Sequence, residues 1–485
     1  MGGALGLDLG TSGLRALLID AAGQPVGASE RACGVAHPHP GWSEQDPADW
    51  IAALEAAIAD LAARFPEAMA RVRGIGVSGH MHGATLLDAA MTPIRPCILW
   101  NDTRSHAEAA RLDALPGMRE TSGNIVFPGF TAPKLDWVRR HEPEAFARVA
   151  KVLLPAAFLN LYLTGRAVAD MSDSAGTSWF DTGRRDWSDA LLEAGHMRRD
   201  QMPELVEGSD PAGTLRPELA ARWGIAPGAV VAGGAGDNAA AACGTGALAE
   251  GQGFVSLGTS GVLLAARDGY RPDPGNALHT FCHAVPGRWY QMGVILSATD
   301  SLNWLAQISG QSPADLTRAL GEALKAPGRV RFLPYLSGER TPHNDAAIRG
   351  AFTGLGAETG LPDLTRAVLE GVAFALRDCA EALRGAGADL GHLLAIGGGA
   401  RSDYWLRLIA TVLGVPLQVP AGGELGAALG AARLGRVAAS GAAPETEMTP
   451  PAIARTVAPE PALADAFDEA YRGFRAAYPG LKAIQ

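Results

Sequence analysis

The chain has 485 residues, of which 47% are hydrophobic and 19% are charged, and its formal net charge at pH 7 is −10. This length predicts two or three domains with a sizeable buried core, and the negative charge disfavours nucleic acid and anionic membranes as partners. The five cysteines are dispersed without a CxxC pair, which predicts reduced thiols and argues against a disulfide framework or a zinc site. We find neither a secretory leader nor a stretch long enough to span a bilayer, and we therefore expect a cytoplasmic protein.

The first part of the chain predicts an alternation of strands and helices. Residues 4–35 predict three short strands separated by two turns. Asp46 then predicts the N-cap of a helix whose first residue is proline, and a further strand follows over residues 72–77. The loop-rich stretch from about residue 96 to 186 predicts an inserted cap that shapes a pocket, although a purely structural insertion is equally compatible with it.

A five-residue segment occurs twice in the chain. Leu9-Gly10-Thr11-Ser12-Gly13 returns as Leu257-Gly258-Thr259-Ser260-Gly261, and each copy lies between two apolar runs. This pattern predicts a tight turn between two strands, with backbone N–H groups and hydroxyls pointing into one concavity that suits phosphate oxygens. Two such turns predict a duplicated fold that holds a polyphosphate from both sides.

The second part of the chain repeats the alternation of strands and helices. Residues 230–232 predict a strand that runs into a glycine-rich segment and a helix. A long helix over residues 364–383 and a strand over residues 393–396 precede Gly397-Gly398-Gly399, and Ser402 predicts the N-cap of the next helix. Glycines between a strand and a helix are typical of a nucleotide-binding loop.

These elements predict an α/β protein with a cleft between two related domains. We place the boundary near residues 243–250 and assign residues 1–245 and 246–485 to the two domains. Beyond about residue 439, a loose connection precedes a last amphipathic helix near residues 463–478.

Two acids are candidates for the chemistry. Asp8 precedes the first turn, where a carboxylate could hold Mg²⁺ against phosphates or simply order the turn. Asp237 is the only charged residue between Arg222 and Glu250, a setting that predicts a desolvated and more basic carboxylate. Asp237 also suits a helix N-cap, and the two roles are compatible.

The sequence contains no G-x-x-x-x-G-K-[ST] phosphate loop, and Gly397–Gly399 is not a strict G-x-G-x-x-G. A kinase without a P-loop points to the actin-like ATPase architecture. A dinucleotide-dependent oxidoreductase lacks its fingerprint here and has no need of a duplicated turn.

From Leu5 to about Leu434 the chain resembles the FGGY family of carbohydrate kinases. The stretches that carry the resemblance are Trp42–Pro47, Met81–Asp88, Trp100–Asp102, Gly129–Lys134, Phe332–Pro342 and Arg366–Gly371. The resemblance implies two duplicated actin-like (ribonuclease H-like) ATPase domains, the first binding sugar and the second binding nucleotide. It implies ATP-dependent phosphorylation of D-xylulose to D-xylulose 5-phosphate.

The resemblance also implies roles for individual residues. Asp237 corresponds to the proton acceptor, and Asp8 and Asp237 to the carboxylates beside Mg²⁺. The residues implied to bind the sugar are Met81, His82, Trp100, Asn101, Asp102 and Asn238. The residues implied to bind ATP are Gly10, Thr11, Ser12, Gly258, Thr259, Ser260, Gly398, Gly399 and Ser402.

One residue departs from the family pattern. His80 stands where similar kinases usually carry Gln, and we expect it to add a modest pH dependence between about pH 6 and 7. The alternatives are a kinase of the same family for ribulose, gluconate, fuculose or glycerol, and a non-catalytic actin-like nucleotide switch. The sequence leaves a homodimer open.

Overall fold

A computed structural model describes residues 2–422 and 426–485. The strands are β1 (Gly3–Gly10), β2 (Gly13–Ile19), β3 (Pro25–Ala32), β4 (Glu44–Gln45), β5 (Val72–Gly79), β6 (Thr85–Leu87), β7 (Cys97–Ile98), β8 (Lys151–Leu153), β9 (Val168–Asp170), β10 (Phe180–Asp181), β11 (Asp186–Trp187), β12 (Glu204–Val206), β13 (Pro211–Thr214), β14 (Val230–Ala232), β15 (Ala235–Gly236), β16 (Gly253–Leu257), β17 (Gly261–Arg267), β18 (His279–Cys282), β19 (Trp289–Ile295), β20 (Arg331–Leu333), β21 (Ala351–Thr353), β22 (Leu393–Ile396), β23 (Leu417–Pro420) and β24 (Ile453–Val457).

The α-helices are α1 (Pro47–Arg64), α2 (Pro66–Met69), α3 (His106–Asp113), α4 (Met118–Ser122), α5 (Thr131–His141), α6 (Pro143–Ala147), α7 (Pro155–Thr164), α8 (Met171–Ser174), α9 (Asp189–Ala194), α10 (Pro217–Trp223), α11 (Asp237–Thr245), α12 (Thr299–Ser309), α13 (Pro313–Arg318), α14 (Leu361–Gly385), α15 (Asp403–Leu413), α16 (Ala427–Ser440), α17 (Pro444–Glu447) and α18 (Ala464–Ile484). All of these helices fall short of the length and apolarity that a bilayer-spanning segment needs, within the residues described.

The two halves contain sheets of the same design. The first sheet has the strand order β13-β14-β5-β1-β2-β3, with β15 added beside β5. The second has the order β24-β23-β22-β16-β17-β19, with β18 added beside β19. In both sheets the central strand pairs in antiparallel fashion with the next strand of the chain and in parallel fashion with a later one. The predicted duplicated α/β fold is therefore confirmed.

The carboxyl ends of the parallel strands define the functional edge of each sheet. In the first sheet β1, β5 and β15 run parallel, so their last residues lie at the same edge. In the second sheet β16 and β22 do the same. The five-residue repeats, the segment after β5, the start of α11 and the glycine run after β22 all follow these strand ends, which is why residues distant in sequence meet there.

Helix α16 lies between β23 and β24 of the second sheet in sequence but packs on the first sheet. A Cβ at Gly6 on β1 or at Gly76 on β5 would lie 1.9 Å from a carbonyl oxygen of α16, those of Ala428 and Ala431. Only glycine permits this approach of backbone to backbone. One helix of the later part of the chain therefore covers the earlier sheet.

Most local predictions for the elements agree with the structure. Asp46 caps α1, and its side chain accepts the N–H of Ala48 at 2.9 Å. The segment from residue 96 to 186 differs, because it contains the helices α3 to α8 where we expected mostly loops. Its helices are short, and α6 and α7 each begin at a proline, so hydrophobic periodicity has too few turns to stand out.

Candidate active site

A cavity of about 600 Å³ lies between the two halves. From the first half it is lined by Met81, His82, Trp100, Phe127, Gly129, Phe130, Asp237 and Asn238. From the second half it is lined by Thr259, Ser260, Val262, His279, Met292, Val294, Leu296, Ser337 and Arg340. Apolar and aromatic walls with few polar groups are typical of a site for a small, polar organic molecule.

Asp237 opens helix α11 at the wall of this cavity. The N-cap is Gly236, so Asp237 occupies the first helical position and does not cap the helix. Its Oδ1 accepts the backbone N–H of Asn238 at 2.7 Å and the Asn238 side-chain amide at 2.8 Å. Burial raises the pKa of Asp237 to about 6, against the opposing effect of these hydrogen bonds. The carboxylate is therefore a stronger base than an exposed one and remains ionised at pH 7.

Asp8 lies near Asp237 at the end of β1. In the parallel register, Ser78 of β5 stands opposite both Asp8 and Ala235, two residues before Asp237. The Ser78 hydroxyl donates to Asp8 Oδ1 at 3.0 Å. Burial raises the pKa of Asp8 to about 6, and the negative charge of Asp237 adds to this rise. Two carboxylates that disfavour each other's charge are typical of a site for a cation.

His82 has its protonation state set by its surroundings. Its ring Nδ1 lies 2.7 Å from the carbonyl oxygen of Gly176, to which it donates. Burial lowers the pKa of His82 to about 3, so the ring is neutral and its Nε2 is an acceptor. The ring stacks on Phe130, with centroids 4.2 Å apart and planes 18° from parallel. A neutral acceptor beside an aromatic face suits a sugar hydroxyl.

The backbone of His82 is held by a buried lysine. His82 has a φ of +69°, a conformation that costs energy for a non-glycine residue. Its carbonyl oxygen accepts Lys134 Nζ at 2.9 Å and the Thr131 hydroxyl at 3.1 Å. Lys134 also donates to the carbonyl of Ile98 at 3.2 Å. Burial lowers the pKa of Lys134 to about 7.

The two copies of the repeated segment form different turns. In the first copy Gly10 pairs with Gly13, which leaves a two-residue turn of Thr11 and Ser12. In the second copy Leu257 pairs with Gly261, which leaves a three-residue turn. The carbonyl of Thr259 accepts the backbone N–H groups of two residues at the start of α12, at 2.8 and 3.3 Å. Thr259 and Ser260 line the cavity, whereas Gly258 supports α12 through its carbonyl.

A second cavity, of about 830 Å³, lies at the end of the second sheet. Gly398, Gly399 and Ser402 line it, together with residues of α12, α13 and α15. Gly397 has a φ of +88°, and a Cβ there would lie 2.8 Å from the carbonyl oxygen of Leu257, so a side chain is excluded. The Ser402 hydroxyl accepts the N–H of Trp405 at 3.3 Å and caps α15 as predicted.

Comparison with known proteins decides the family. The family models for the N-terminal and C-terminal domains of FGGY carbohydrate kinases match residues 3–244 and 253–439. The chain belongs to the FGGY family of carbohydrate kinases. It is 48% identical over 439 residues to a xylulose kinase of Escherichia coli, a match that covers 90% of each chain.

Solved structures of FGGY kinases have the same fold. A crystal structure described as a xyloylose kinase from Brucella ovis superposes with a TM-score of 0.98 over 100% of both chains, at 60% identity. A xylulose kinase from Rhodospirillum rubrum superposes with a TM-score of 0.93 over 99% of both chains, at 30% identity. The actin-like ATPase architecture expected from the sequence is thereby confirmed.

Within this FGGY kinase, the cavity includes Met81, His82, Trp100, Asn238, Thr259 and Ser260 among the predicted site residues. Thr11 reaches it indirectly, because the indole Nε1 of Trp100 donates to the Thr11 hydroxyl at 2.9 Å. Met81 is held by the Tyr290 hydroxyl, which lies 3.7 Å from its sulfur. Trp100 therefore connects the first turn with the cavity between the two halves.

Two predicted sugar-binding residues lie elsewhere. Among the described residues that line the cavity, neither Asn101 nor Asp102 is found. The Asp102 carboxylate accepts Arg104 Nε and Nη2 at 2.9 and 2.7 Å and the N–H of Ser43 at 2.6 Å. These hydrogen bonds engage the Asp102 carboxylate in holding its own loop against Ser43. Asn101 instead lines a surface cavity beside His37.

His80 also departs from expectation. It is buried away from the cavity, with its ring edge-on to Trp50 at a centroid distance of 5.6 Å, and neither ring nitrogen has a hydrogen-bond partner among the described residues. Burial lowers the pKa of His80 to about 3. The expected pH response between 6 and 7 is therefore wrong, because the ring stays neutral throughout that range.

Sequence reasoning missed Arg340, the one guanidinium among the described residues lining the cavity. Arg340 Nη1 donates to His279 Nε2 at 3.2 Å, and the guanidinium lies 4.2 Å from the ring centroid of Phe127. Burial lowers the pKa of Arg340 to about 10, which still leaves it charged at pH 7. The stretch Phe332–Pro342 that carries it was a signal for the family, but it assigned no role to the arginine.

Two further buried acids lie behind Asp237. Asp170 caps α8 by accepting the N–H groups of Ser172 and Asp173 at 2.8 and 3.0 Å. Both carboxylate oxygens of Asp173 are buried without a hydrogen-bond partner, and burial raises its pKa well above the ordinary value, with Asp170 and Asp237 adding to the rise. Burial and the two neighbouring acids therefore both oppose ionisation of Asp173.

Proposed function

We propose that this FGGY kinase transfers the γ-phosphoryl group of ATP to D-xylulose and releases D-xylulose 5-phosphate and ADP. One observation carries the proposal. The cavity between the halves brings Asp237 and His82 of the first half together with Thr259 of the second. The 48% identity to a xylulose kinase over 90% of both chains supports the choice of sugar.

The residues of the cavity divide the work of binding the sugar. His82 Nε2 accepts a hydrogen bond from a sugar hydroxyl, and the Asn238 amide holds Asp237 in place. Phe130 and Trp100 supply apolar faces for the sugar carbons. Arg340 donates to hydroxyl or carbonyl oxygens and offsets the negative charge of the acids. Sugar sites of this kind need few charges, since most of the selectivity comes from hydrogen-bond geometry.

Asp237 accepts the proton of the attacking sugar hydroxyl. A bond forms between that oxygen and the γ-phosphorus, the bond from the γ-phosphorus to the ADP oxygen breaks, and the proton passes to the carboxylate. The raised pKa of Asp237, about 6, keeps it ionised at pH 7 while making it a better acceptor. Such transfers also depend on alignment and charge neutralisation, which the rest of the site supplies beside the base.

The nucleotide occupies the second cavity, with its phosphates directed to the two turns. Gly398, Gly399 and Ser402 flank the adenosine, and Thr11, Ser12, Thr259 and Ser260 surround the phosphates, with Gly10 and Gly258 shaping the turns. The cavity at the end of β22 and the two turns at the adjoining strand ends support this placement.

Mg²⁺ fits the pair of Asp8 and Asp237. Carboxylate oxygens are the ligands it prefers, and both carboxylates have pKa values raised by burial, so a divalent cation would offset the cost of their charges. The described residues contain no cluster of three or more His, Cys, Asp or Glu for a metal, as expected for an ion held partly by phosphates and water. When bound, the ion neutralises charge on the phosphates.

Three finer statements belong to the same proposal. We place the protein in the cytoplasm, which five unpaired, buried cysteines support. We assign sugar binding to residues 1–245 and nucleotide binding to residues 246–485, and we propose a homodimer as the assembly to be tested by light scattering.

A coupled ADP-release assay tests the proposal. D-xylulose, D-ribulose, gluconate, L-fuculose and glycerol are compared under identical conditions, with Asp237→Asn as the inactive control. We expect the highest kcat/KM for D-xylulose. A clear preference for one of the other substrates would overturn the proposed sugar. A rate of ADP release that none of these substrates increases would overturn the kinase assignment.

A further inference from the structure

The last helix described, α18, lies beyond the part of the chain that matches the family models. Its final turns pack on the segment of residues 335–349, which carries two residues of the sugar cavity, Ser337 and Arg340. Nothing in the proposed mechanism uses this helix. Its contacts nevertheless lead, step by step, to the cavity.

Helix α18 contacts the segment of residues 335–349 through Tyr478 and Lys482. The ring of Tyr478 stacks on that of His343, with centroids 3.6 Å apart and planes 10° from parallel. The Tyr478 hydroxyl donates to Asp345 Oδ2 at 2.8 Å, and Lys482 Nζ lies 3.0 Å from the same oxygen. Partial burial opposes ionisation, yet these two hydrogen bonds bring the pKa of Asp345 to about 2. The carboxylate is therefore charged at every pH at which the enzyme would be assayed.

The second step joins Asp345 to Arg340 through Glu339. The backbones of Glu339 and Asp345 exchange two hydrogen bonds, each 2.8 Å long. Glu339 Oε1 then accepts the backbone N–H of Arg340 at 2.8 Å and that of Leu296, a cavity residue, at 3.0 Å. Asp345, which contacts α18, is thus connected to the backbone of Arg340 by two successive sets of hydrogen bonds. The first set joins Asp345 to Glu339, and the second joins Glu339 to Arg340.

The third step is across the cleft. Arg340 belongs to the second half, but its guanidinium lies over Phe127 of the first half. Its side chain is long and has many rotamers, so its place in the cavity depends on where its backbone is held. Ordering such a side chain before the sugar arrives reduces the entropy lost on binding.

We propose that α18 positions Arg340 for sugar binding, with Tyr478 and Lys482 acting as positioning residues through Asp345 and Glu339. The inference rests on the proposed function, because it assumes that the cavity binds the sugar. It extends that function by giving a role in sugar affinity to a helix outside the matched domains.

Substitutions on α18 test the inference. Tyr478→Ala removes both the stack and the hydrogen bond, and we expect the sugar KM to rise about tenfold while kcat and the ATP KM stay within about twofold. Tyr478→Phe keeps the stack, so about a threefold rise is expected, with Lys482→Met similar. Arg472→Ala, at an exposed position of the same helix, is the control and should change none of these constants.

A double-mutant cycle separates positioning from general stability. If Tyr478 acts through Arg340, then Tyr478→Ala should add no further loss of sugar affinity once Arg340→Lys is present. Additive losses would overturn the inference. It would also fail if Tyr478→Ala lowered the melting temperature while leaving the sugar KM unchanged, since that result assigns α18 a structural role only.

The failure of this inference is distinguishable from that of the proposed function. The parent enzyme is first assayed over the sugar panel, and all variants are then measured with its best substrate. If no substrate is turned over, calorimetric titration with D-xylulose gives the affinities instead. If the parent binds no sugar by either method, both the proposed function and the inference are contradicted. If the parent binds sugar but the losses of affinity in the double-mutant cycle are additive, only the inference is contradicted.

Discussion

The ammonium of Lys134 donates a 2.9 Å hydrogen bond to the backbone carbonyl of His82, whose φ is +69°. The two residues are far apart in sequence, and Lys134 starts from a helix of the cap. The bond holds the strained backbone that presents the His82 ring to the cavity. A cap that was expected to shape the pocket therefore does so partly through one buried lysine.

Replacing this lysine should weaken sugar binding. We expect Lys134→Met to raise the sugar KM about tenfold, because the His82 carbonyl loses the Lys134 Nζ donor and the backbone relaxes. Thr131→Val removes the weaker of the two donors to that carbonyl and should have a smaller effect. Lys151→Met is a matched control, since Lys151 also donates to two carbonyls, each at 2.8 Å, at a site outside the cavity. An equal loss of sugar affinity in both lysine variants would contradict the assignment.

Asp237 should govern the acid limb of the pH profile. A base with a pKa of about 6 loses its function as pH falls through 6, so kcat/KM should decline below that value. Asp237→Asn should lower kcat by about a thousandfold or more, because it keeps the shape but cannot accept the proton. Near-normal turnover by Asp237→Asn would show that another group takes the proton.

The same carboxylate should cost stability at neutral pH. Its pKa is about 6 in the folded protein and 3.8 in an unfolded chain, so the folded state binds the proton more tightly and stability falls as pH rises from about 4 to 6. Asp237→Asn should therefore be more stable than the parent at pH 7, by an amount on the order of 1–2 kcal/mol. The gain should vanish near pH 3.5. Urea unfolding at several pH values measures it, and a gain that is independent of pH would contradict the explanation.

His80 should lower the stability of the folded protein and take no part in catalysis. Its buried ring nitrogens lack partners, so His80→Leu should stabilise the fold, by about 1 kcal/mol at pH 8. The gain should grow at pH 5, because an unfolded chain protonates the histidine below 6.5 while the folded ring, with a pKa of about 3, stays neutral. His283→Leu is the contrasting control, since that ring lies 3.1 Å from the Ala247 carbonyl and its loss should destabilise. A change in the pH profile of activity for His80→Leu would contradict this account.

The two turns should differ in their effects. Thr259→Val should weaken ATP affinity, measured by the ATP KM, by about 1–3 kcal/mol and leave sugar binding unchanged. Thr11→Val should weaken both, because the Thr11 hydroxyl also accepts the indole N–H of Trp100 in the sugar cavity. Trp100→Phe removes that bond while keeping an aromatic face in the cavity, and it should reproduce the sugar part of the Thr11 effect. A Thr259 variant with lower melting temperature and unaltered ATP KM would make the second turn purely structural.

Local features could be predicted from the sequence because they depend on neighbours in the chain. The strands around both turns, the Asp46 and Ser402 caps and the glycine run after β22 each follow from a short pattern of residues. The duplicated fold could also be predicted, since both copies of the five-residue segment lie between apolar runs. Asp8 stood out because it precedes the first turn, and Asp237 because it is the only charged residue between Arg222 and Glu250.

Contacts between distant segments could not be predicted. Asp102 was a candidate for the sugar site, yet its carboxylate accepts the N–H of Ser43, 59 residues away in the sequence, as well as pairing with Arg104. His80 and His82 are two residues apart, and only the tertiary structure decides that the first is buried without partners and the second faces the cavity. Side chains on a short segment diverge according to what packs on each side of it.

The sequence by itself determined a duplicated α/β fold with two acids at its strand ends, because strand, turn and cap signals are local. Its resemblance to known proteins identified the FGGY kinase family. The tertiary structure alone decided which residues share the cavity. Parallel strands bring their ends to one edge, and helices from the cap and from the far end of the chain then hold the backbones of His82 and Arg340. Which groups meet there, and which pKa values shift, depends on burial that no short stretch of sequence encodes.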